Sequence, residues 1–221
     1  MNIVWHGQSF FEIGVKNGKE AETKIVIDPF EGDFIGLKFP KIEGDIVLVS
    51  HDHKDHSNTK AIGGTPFVID TPGEYEVKDV FIKGISAFHD DTEGKERGNV
   101  IMFTIESEGM KIGFLSDLGQ KELTSQQIDD LGDVDILLIP VGGKYTIGSK
   151  EASTVISQVE PGVVIPMHYK IPNLKIDIDD VSKFLKEMGE EKIEPLPKLK
   201  ITLKDLPSSK DDETKIILLA P

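Results

Sequence analysis

Three of the chain's six histidines fall within residues 50–57, and this cluster constrains the fold more than any other stretch. The apolar run at residues 46–49 leads into it, after Gly44-Asp45 and before Ser50. A short apolar run with such boundaries is typical of a buried strand. The histidines are therefore predicted on the loop that leaves a strand, where a rigid sheet holds functional side chains in place.

The spacing within this cluster is that of metal ligands. His51 and His53 are two residues apart, so an extended chain points both imidazoles to one side. Asp55 and His56 follow at a predicted turn and can face a second point. Imidazole and carboxylate groups bind zinc and similar divalent ions. Four such ligands within six residues are more than one open catalytic ion needs, so the pattern predicts two neighbouring ions. The alternative is a charged turn exposed to solvent.

Acidic and imidazole side chains also end apolar runs elsewhere in the chain. They are Asp28, His89, Asp117 and His168. Alone, His89 would more often be structural, and Asp117 would be a turn or cap residue. Their repeated position at strand ends predicts instead that both bind metal. Asp28 is either a turn former or a partner that holds a ligand imidazole in place.

The order of predicted elements indicates an α/β (α+β) architecture in one domain, residues 1–221. Strand-like runs and hairpins fill the first half, with a turn predicted at Asn17-Gly18. Helices alternate with buried strands in the second half; Ser149 is predicted to cap one helix, and residues 178–188 to form another. Hairpins followed by helix–strand pairs predict a mixed sheet system covered by helices.

Composition is that of an ordinary globular protein, with 38% hydrophobic and 29% charged residues. The absence of cysteine excludes disulfides and thiolate ligands. The N-terminus lacks the basic start and apolar run of a signal peptide, and no run approaches the ~20 apolar residues of a membrane span. We therefore expect a cytoplasmic protein without membrane contact.

The formal net charge of −14 bears on the substrate. Binding to long phosphate backbones depends on lysine and arginine, so a chain this acidic is poorly suited to nucleic acid. Bound metal ions can still attract a small anion. We expect a small-molecule substrate, no nucleic-acid partner and, as an open alternative to a monomer, a homo-oligomer.

The ligand pattern extends along the chain in a recognisable order. The motif H-x-H-x-D-H at residues 51–56 is followed by the strand-end His89, by Ser116-Asp117 and by Pro166-Met167-His168. This order resembles the metallo-β-lactamase superfamily over almost the whole chain. Residues 5–10, 27–29, 142–148 and 165–169 are similar to a branch of zinc-dependent hydrolases that includes L-ascorbate-6-phosphate lactonase. That branch often has an early Gly-His pair, where this sequence has Gly7-Gln8.

The resemblance implies a four-layer αβ/βα sandwich of two mixed sheets flanked by helices, with two metal ions at one edge. The implied ligands are His51, His53 and His89 for one ion, Asp55, His56 and His168 for the other, and Asp117 bridging both. Zinc is the favoured ion, while manganese or iron suits the same donors. The lactam-cleaving branch places a thiolate on its second metal, so this chain is not expected to be a β-lactamase.

We expect metal-dependent hydrolysis of an ester, lactone or phosphoester. A hydroxide formed from water between the two ions would be the nucleophile. Asp117 and Asp55 are the predicted catalytic residues, and the leaving group takes its proton from Asp55 or from a metal-bound water. Candidate substrate contacts are Lys144, Tyr145, Thr146 and Tyr169, with Arg97 and Asn99 as further candidates; taken singly, each is better explained as an ordinary loop residue. His6 is predicted at the edge of the site or on the surface.

Three other functions are compatible with this ligand pattern. A nuclease or phosphodiesterase acting on nucleic acid uses the same constellation, although the sequence shows no basic tract or inserted arm. A di-iron redox protein suits the donors, although 221 residues leave no room for a flavin domain. A non-catalytic metal-bound scaffold would be favoured by a missing ligand, and every expected ligand is present.

Overall fold

Two β-sheets form the centre of this computed structural model, which describes residues 1–16, 21–207 and 213–221. The first strands are β1 (Asn2–Trp5), β2 (Phe11–Val15), β3 (Thr23–Ile27), β4 (Ile46–Leu48) and β5 (Phe67–Ile69). The next strands are β6 (Gly73–Val77), β7 (Val80–Phe88), β8 (Asn99–Ser107), β9 (Met110–Phe114), β10 (Ile136–Pro140) and β11 (Val163–Met167). Two short strands follow, β12 (Leu199–Lys200) and β13 (Lys215–Ile216).

Each sheet combines antiparallel hairpins with parallel neighbours. The six-stranded sheet has the order β12-β1-β2-β3-β4-β5, and β3, β4 and β5 are parallel. The seven-stranded sheet has the order β13-β11-β10-β9-β8-β7-β6, and it is parallel from β9 to β13. The prediction of two mixed sheets flanked by helices is therefore confirmed.

Short helices flank the sheets in the described part of the chain. The α-helices are α1 (Gly32–Ile35), α2 (Ser125–Leu131), α3 (Ser149–Val159) and α4 (Ser182–Glu187), with 3₁₀ turns at Thr59–Ala61 and Leu203–Asp205. The α2 helix begins at a capping box, in which Thr124 accepts the backbone N–H of Gln127. None of the described helices has the length and apolar character needed to cross a bilayer.

The structure corrects two helix predictions. Ser149 is the first residue of α3 rather than its cap, because the preceding Gly148 is the N-cap and donates its N–H to Glu151. The helix predicted over residues 178–188 is shorter, since the backbone of Asp179 bonds to the carbonyl of Gly142 and the N–H of Lys170. The turn predicted at Asn17-Gly18 lies outside the described residues.

Strand direction explains why the predicted ligands meet. In the first sheet β1, β3 and β4 run the same way, and in the second β7, β9, β10 and β11 do. Their carboxyl ends therefore lie along one edge of each sheet. The two sheets pack together through aromatic contacts such as Phe11 with Phe114, whose ring centroids are 6.4 Å apart. A hydrogen bond of 2.9 Å from Ile101 N–H to the Ser50 carbonyl joins the sheets beside the histidine loop.

Candidate metal centre

Two separate groups of potential metal ligands lie side by side at this edge. One consists of His51, His53 and His89, and the other of Asp55, His56 and His168. A third grouping, Asp28 with His51 and His56, takes one histidine from each of them. Within each group the ligand atoms all lie within 4.8 Å of one another. The membership of both groups is that predicted for the two ions.

Asp117 lies between the two groups. Its Oδ2 atom is 3.3 Å from Nε2 of both His56 and His168, and 3.8 Å from Nε2 of His89. Its other oxygen, Oδ1, accepts a hydrogen bond of 3.1 Å from the Ser9 hydroxyl. One carboxylate oxygen is thus directed at imidazoles of both groups while the other is held by a serine.

The donor set fits divalent ions. Two donors on one zinc ion at ordinary bond lengths lie about 3.3 Å apart. Here Nε2 of His51 is 2.9 Å from Nδ1 of His53, and Nε2 of His56 is 3.5 Å from Oδ2 of Asp55. The buried Nε2 of His56 has no hydrogen-bond partner among the described residues, although carboxylate oxygens surround it. Buried polar atoms rarely lack a hydrogen-bond partner. A cation shared by His56 and the carboxylates would account for the arrangement.

Asp28 holds one ligand ring from behind. This carboxylate is fully buried, and its Oδ2 lies 2.8 Å from Nδ1 of His56. Because the carboxylate accepts a hydrogen bond from Nδ1–H, the neutral His56 ring carries its lone pair on Nε2, which faces Asp117. Of its two predicted roles, Asp28 therefore has the geometry of a partner to a ligand imidazole.

Ser50 extends this support to the other group. Its hydroxyl donates to Oδ2 of Asp28 at 2.5 Å, and its N–H donates to Oδ1 at 2.8 Å. The same hydroxyl lies 2.9 Å from Nδ1 of His51. Since the hydroxyl proton is donated to Asp28, the oxygen accepts a hydrogen bond from His51 Nδ1–H. The metal-binding lone pair of His51 is then on Nε2, the nitrogen that faces His53.

Protonation states favour metal binding. Burial, followed by the nearby His56, lowers the pKa of His51 to about 2, and burial also lowers the pKa of His89. Burial alone would raise the pKa of Asp117, but His168 and His56 outweigh it and hold that pKa well below its usual range. The rings and the carboxylate are therefore in the neutral and ionised forms that ligate metals.

The pKa of His56 is shifted in the opposite direction from those of His51 and His89. Burial alone would lower its pKa, but three surrounding carboxylates, led by Asp117 and followed by Asp55 and Asp28, raise that pKa well above the usual value. The pKa of Asp55 is in turn lowered, since the attraction of His56 exceeds the effect of burial. The carboxylates thus concentrate enough negative charge at this point to favour a cation.

A cavity of about 490 Å³ opens onto both groups. Its volume lies within the range of small-molecule sites, ~300–1,000 Å³. Its walls combine ligand residues with charged and apolar side chains: His53, Asp55, His89, Asp117 and His168, together with Phe34, Arg97, Tyr145, Lys175, Ile176 and Asp177. The Arg97 guanidinium lies 5.7 Å from the ring centroid of Tyr145, so these two side chains form one part of the wall.

The predicted substrate contacts are spread over different surroundings. Lys144, Tyr145 and Thr146 line an adjoining cavity with His89 and Arg97, but of the three only Tyr145 also lines the cavity at the ligand groups. Lys144 forms an ion pair with exposed Asp177. The structure thus brings Tyr145, but not its two neighbours, to the cavity at the ligand groups.

Two other predicted positions lie apart from that cavity. Tyr169 is buried against Trp5, with ring centroids 4.9 Å apart, and is not among the described residues that line the cavity. His6 is partly exposed, packs on Phe10 and lies 3.6 Å from a carboxylate oxygen of Glu12, outside both ligand groups. The role of Tyr169 in substrate binding stays a prediction.

Several residues of the site were not singled out from the sequence. Ser9 and Ser50 hold ligands in place, and Ser50 had a local signal, because it stands between a strand and the first ligand histidine. Phe34 lies in α1, Lys175 and Ile176 lie in the loop after β11, and no sequence motif marks any of the three. Their placement depends on the packing of loops across the sheet edge.

Known proteins share this sequence pattern and fold. A family profile described as the β-lactamase superfamily domain matches residues 2–168. Metal-dependent hydrolases from Methanopyrus kandleri and Pyrococcus abyssi are 27% identical over 220 residues and 30% identical over 197 residues. These alignments cover 86% and 75% of this chain, and 93% and 86% of the relatives.

Solved structures agree with the sequence comparisons. A metallo-β-lactamase superfamily protein from Thermotoga maritima, to which zinc-dependent hydrolysis is attributed, is 36% identical with a TM-score of 0.76. That match covers 99% of this chain and 97% of the other. Igni18, a metallo hydrolase from Ignicoccus hospitalis, shares the fold at 20% identity and a TM-score of 0.63, over 91% of this chain and 99% of the other. The chain therefore belongs to the metallo-β-lactamase superfamily.

Proposed function

We propose that this metal-dependent hydrolase uses two divalent ions to cleave an ester, lactone or phosphoester bond in a small anionic substrate. The observation that carries the proposal is the position of Asp117. A single oxygen of this buried carboxylate lies 3.3 Å from two imidazoles of one ligand group and 3.8 Å from an imidazole of the other. A bridging ligand between two neighbouring ions requires such a position.

The residues would divide between the ions as their grouping suggests. His51, His53 and His89 would hold one ion, Asp55, His56 and His168 the other, and Asp117 both. When bound, such ions supply Lewis acidity and lower the pKa of water. The nitrogen and oxygen donors suit zinc, and also manganese or iron.

The protein's own groups would orient the reaction and handle its protons. Asp55 lines the cavity and keeps 14% of its side chain exposed, so it can reach a bound substrate. Its lowered pKa keeps it ionised near neutral pH. We therefore assign Asp55 as a ligand that transiently accepts a proton and passes it to the leaving group, rather than as a standing acid.

The charge of the cavity wall supports an anionic substrate. In a chain with a net charge of −14, two wall residues are cations, Arg97 and Lys175. The Lys175 ammonium donates to a neutral backbone carbonyl, and Nη1 of Arg97 lies 3.9 Å from the exposed Glu96. Asp177, an acidic wall residue, is paired with Lys144. Both cations therefore keep charge available for a substrate anion, while Phe34 and Ile176 offer apolar contact.

Metal content with parallel assays tests this proposal. We expect about two ions per chain in the parent and fewer in Asp117→Ala, measured by elemental analysis of purified protein. Metal-dependent turnover of an ester, a lactone or a phosphodiester probe would identify the bond cleaved. A matched control is Asp129→Ala, which removes an exposed carboxylate from α2 and should keep parent metal content.

The outcomes separate the site from the reaction. A parent that takes up neither zinc nor manganese would refute the metal centre itself. One ion in both parent and Asp117→Ala would rule out the bridging role. Two ions with no turnover of any probe would contradict the assigned bond types and favour a non-catalytic scaffold. The narrower similarity to L-ascorbate-6-phosphate lactonase stays a prediction that the lactone probe addresses.

A further inference from the structure

We propose that Gln8 is a further metal-site residue, whose side-chain amide oxygen completes the ligand group of Asp55, His56 and His168. The inference rests on the proposed metal centre and extends it by a residue from the first strand–loop unit. The terminal amide of Gln8 lies 3.2 Å from Nε2 of His168 and 3.4 Å from Oδ2 of Asp55. It therefore borders two members of that group at once.

The backbone of Gln8 is fixed so that its side chain stays at the centre. Its carbonyl accepts a hydrogen bond of 2.8 Å from the Trp5 indole and one of 3.1 Å from the N–H of His168. Gln8 has φ 52°, in the left-handed region that glutamine rarely occupies, and it is fully buried. The backbone of Gln8 is strained, and its carbonyl is held by two hydrogen bonds beside His168. The side chain therefore has little freedom to turn away.

The separations around this group form a consistent set. Donors on one zinc ion lie about 3.3 Å apart. The proposed ligands of this ion give 3.3 Å for His168 to Asp117, 3.3 Å for His56 to Asp117 and 3.5 Å for His56 to Asp55. The contacts of the Gln8 amide, 3.2 and 3.4 Å, fall within the same interval. Its terminal atom thus occupies the place of an additional donor.

The hydrogen-bonding capacity of the amide indicates which atom faces an ion. Nitrogen and oxygen of a glutamine amide have the same shape, and their positions are assigned from hydrogen bonds. With nitrogen toward the group, the amide would donate to Nε2 of His168, the nitrogen directed at Asp117. In that orientation the buried Oε1 has no hydrogen-bond partner among the described residues.

The reverse orientation suits a metal-loaded site better. Turning the amide over places a neutral carbonyl oxygen, a donor type that suits manganese, at the group. It also removes the competition between the amide N–H and a metal for the lone pair of His168. Gln8 would then ligate without adding charge to a group that already contains the carboxylates of Asp55 and Asp117.

Three substitutions test this role by metal binding rather than by activity. Gln8→Met keeps the length but removes the oxygen. Gln8→Asn keeps the amide on a shorter stem and tolerates positive φ better, so it should fold even if the other variants do not. Gln8→Glu keeps an oxygen at the same distance.

The readouts are the two stepwise metal affinities, from chelator competition, and the visible spectrum of the cobalt-substituted protein. In Gln8→Met and Gln8→Asn we expect the affinity for one ion to fall roughly 10–100-fold, as when residues around a metal site are removed. The affinity for the other ion should stay at the parent value. The cobalt bands should intensify, because fewer ligands surround one ion, while Gln8→Glu should remain close to the parent in both respects.

The matched control is Gln127→Met, which replaces another buried glutamine whose amide bonds to Gln120 and to the Ser86 carbonyl. It should lower thermal stability without changing metal affinity. Parent affinities and an unchanged cobalt spectrum in both Gln8→Met and Gln8→Asn would overturn the proposal. So would an equal loss in Gln8→Glu, since the N–H rather than the oxygen would then matter.

The same measurements separate this proposal from that of a dinuclear centre. If the parent binds a single ion, the two-ion function fails, and the role of Gln8 is still decided by whether its variants weaken that ion. If the parent binds none, both proposals fail together. If two ions bind and the Gln8 variants match the parent, only the Gln8 assignment is wrong.

Discussion

At the scale of single residues, hydrogen bonds behind the ligands decide which imidazole nitrogen faces the centre. Asp28 accepts from Nδ1 of His56, and Ser50 lies between that carboxylate and His51. The two ligand groups are therefore oriented by one buried acid and one hydroxyl. Burial raises the pKa of Asp28, although His56 and Ser50 oppose the shift. Holding this acid ionised costs free energy, which its hydrogen bonds and a cation at the centre would offset.

Asp28→Asn tests this support. The amide can accept from only one side, so its NH₂ group must face either the N–H of Ser50 or Nδ1–H of His56, both of which are donors. We expect metal affinity at the His56 group to fall roughly 10–100-fold, measured by chelator competition. Asp129→Asn, on an exposed face of α2, serves as control. An affinity equal to the parent value would show that the orientation of His56 does not depend on the Asp28 charge.

The residue scale also shows what a sequence can reveal about a site. His89 and Asp117 were predicted as ligands because each follows an apolar run, and the family resemblance implied His168, which also ends such a run; strand direction does bring those ends together. Gln8 and Ser9 approach the centre through contacts to residues at least 47 positions away, Asp55 and His168 for Gln8 and Asp117 for Ser9. No local pattern encodes such contacts, so these positions require the structure.

At the scale of elements, the loop between β7 and β8 is organised around one carboxylate. Asp90 accepts hydrogen bonds from the backbone N–H groups of Thr92, Gly94, Glu96 and Arg97, and from the Thr92 hydroxyl. Burial would raise the pKa of Asp90, but these bonds, led by that from Arg97, lower it. The carboxylate therefore closes the loop into a compact turn that holds Arg97 at the cavity wall.

Asp90→Ala should loosen this loop without disturbing the metal. We expect amide hydrogen exchange at Gly94, Glu96 and Arg97 to accelerate roughly tenfold or more, since each loses its acceptor. For an anionic substrate, KM should rise several-fold while kcat changes little, because Arg97 binds the anion rather than the reacting bond.

The neighbouring acid provides the control for this experiment. Asp91→Ala removes a carboxylate that pairs with the exposed Lys121 at 2.7 Å. It should leave both exchange and KM at parent values. If Asp90→Ala and Asp91→Ala behaved alike, the loop would not be organised by Asp90, and the placement of Arg97 would need another cause.

Elements were predicted well where hairpin pairing determines them and poorly where other hydrogen bonds compete with that pairing. Hairpins were predicted for the first half of the chain, and the structure contains β6–β7, which turns at Lys78-Asp79, and β8–β9, which turns at Glu108-Gly109. The C-terminal strands β12 and β13 are only two residues long each. In residues 199–203, for example, Thr202 bonds to the Asp205 carboxylate and begins a 3₁₀ turn, which ends the strand.

At the scale of the whole molecule, the centre joins the two sheets. The loop after β4 in the first sheet supplies His51, His53, Asp55 and His56, while strand ends of the second sheet supply His89, Asp117 and His168. Each ligand group contains residues of both sheets. Any ion bound there therefore stabilises the packing of one sheet on the other, and unfolding must release it.

Thermal stability should consequently depend on metal. An ion present at 100 times its Kd adds about 2.7 kcal/mol to the free energy of unfolding. For a chain of this size we expect Tm to rise by about 5–10 °C, measured by calorimetry of metal-free protein with and without zinc. His53→Ala is the informative variant, because His53 is exposed and its loss should barely alter the metal-free Tm.

The same variant removes one donor from the first ligand group, so its metal-induced rise in Tm should be clearly smaller than that of the parent. An equal rise would place the stabilising ion outside the His53 group. A metal-free Tm that falls as far as the metal-bound one would instead assign His53 to the packing of the loop. An ion that links the two sheets through this exposed histidine requires both results in His53→Ala: an unchanged metal-free Tm and a smaller metal-induced rise in Tm.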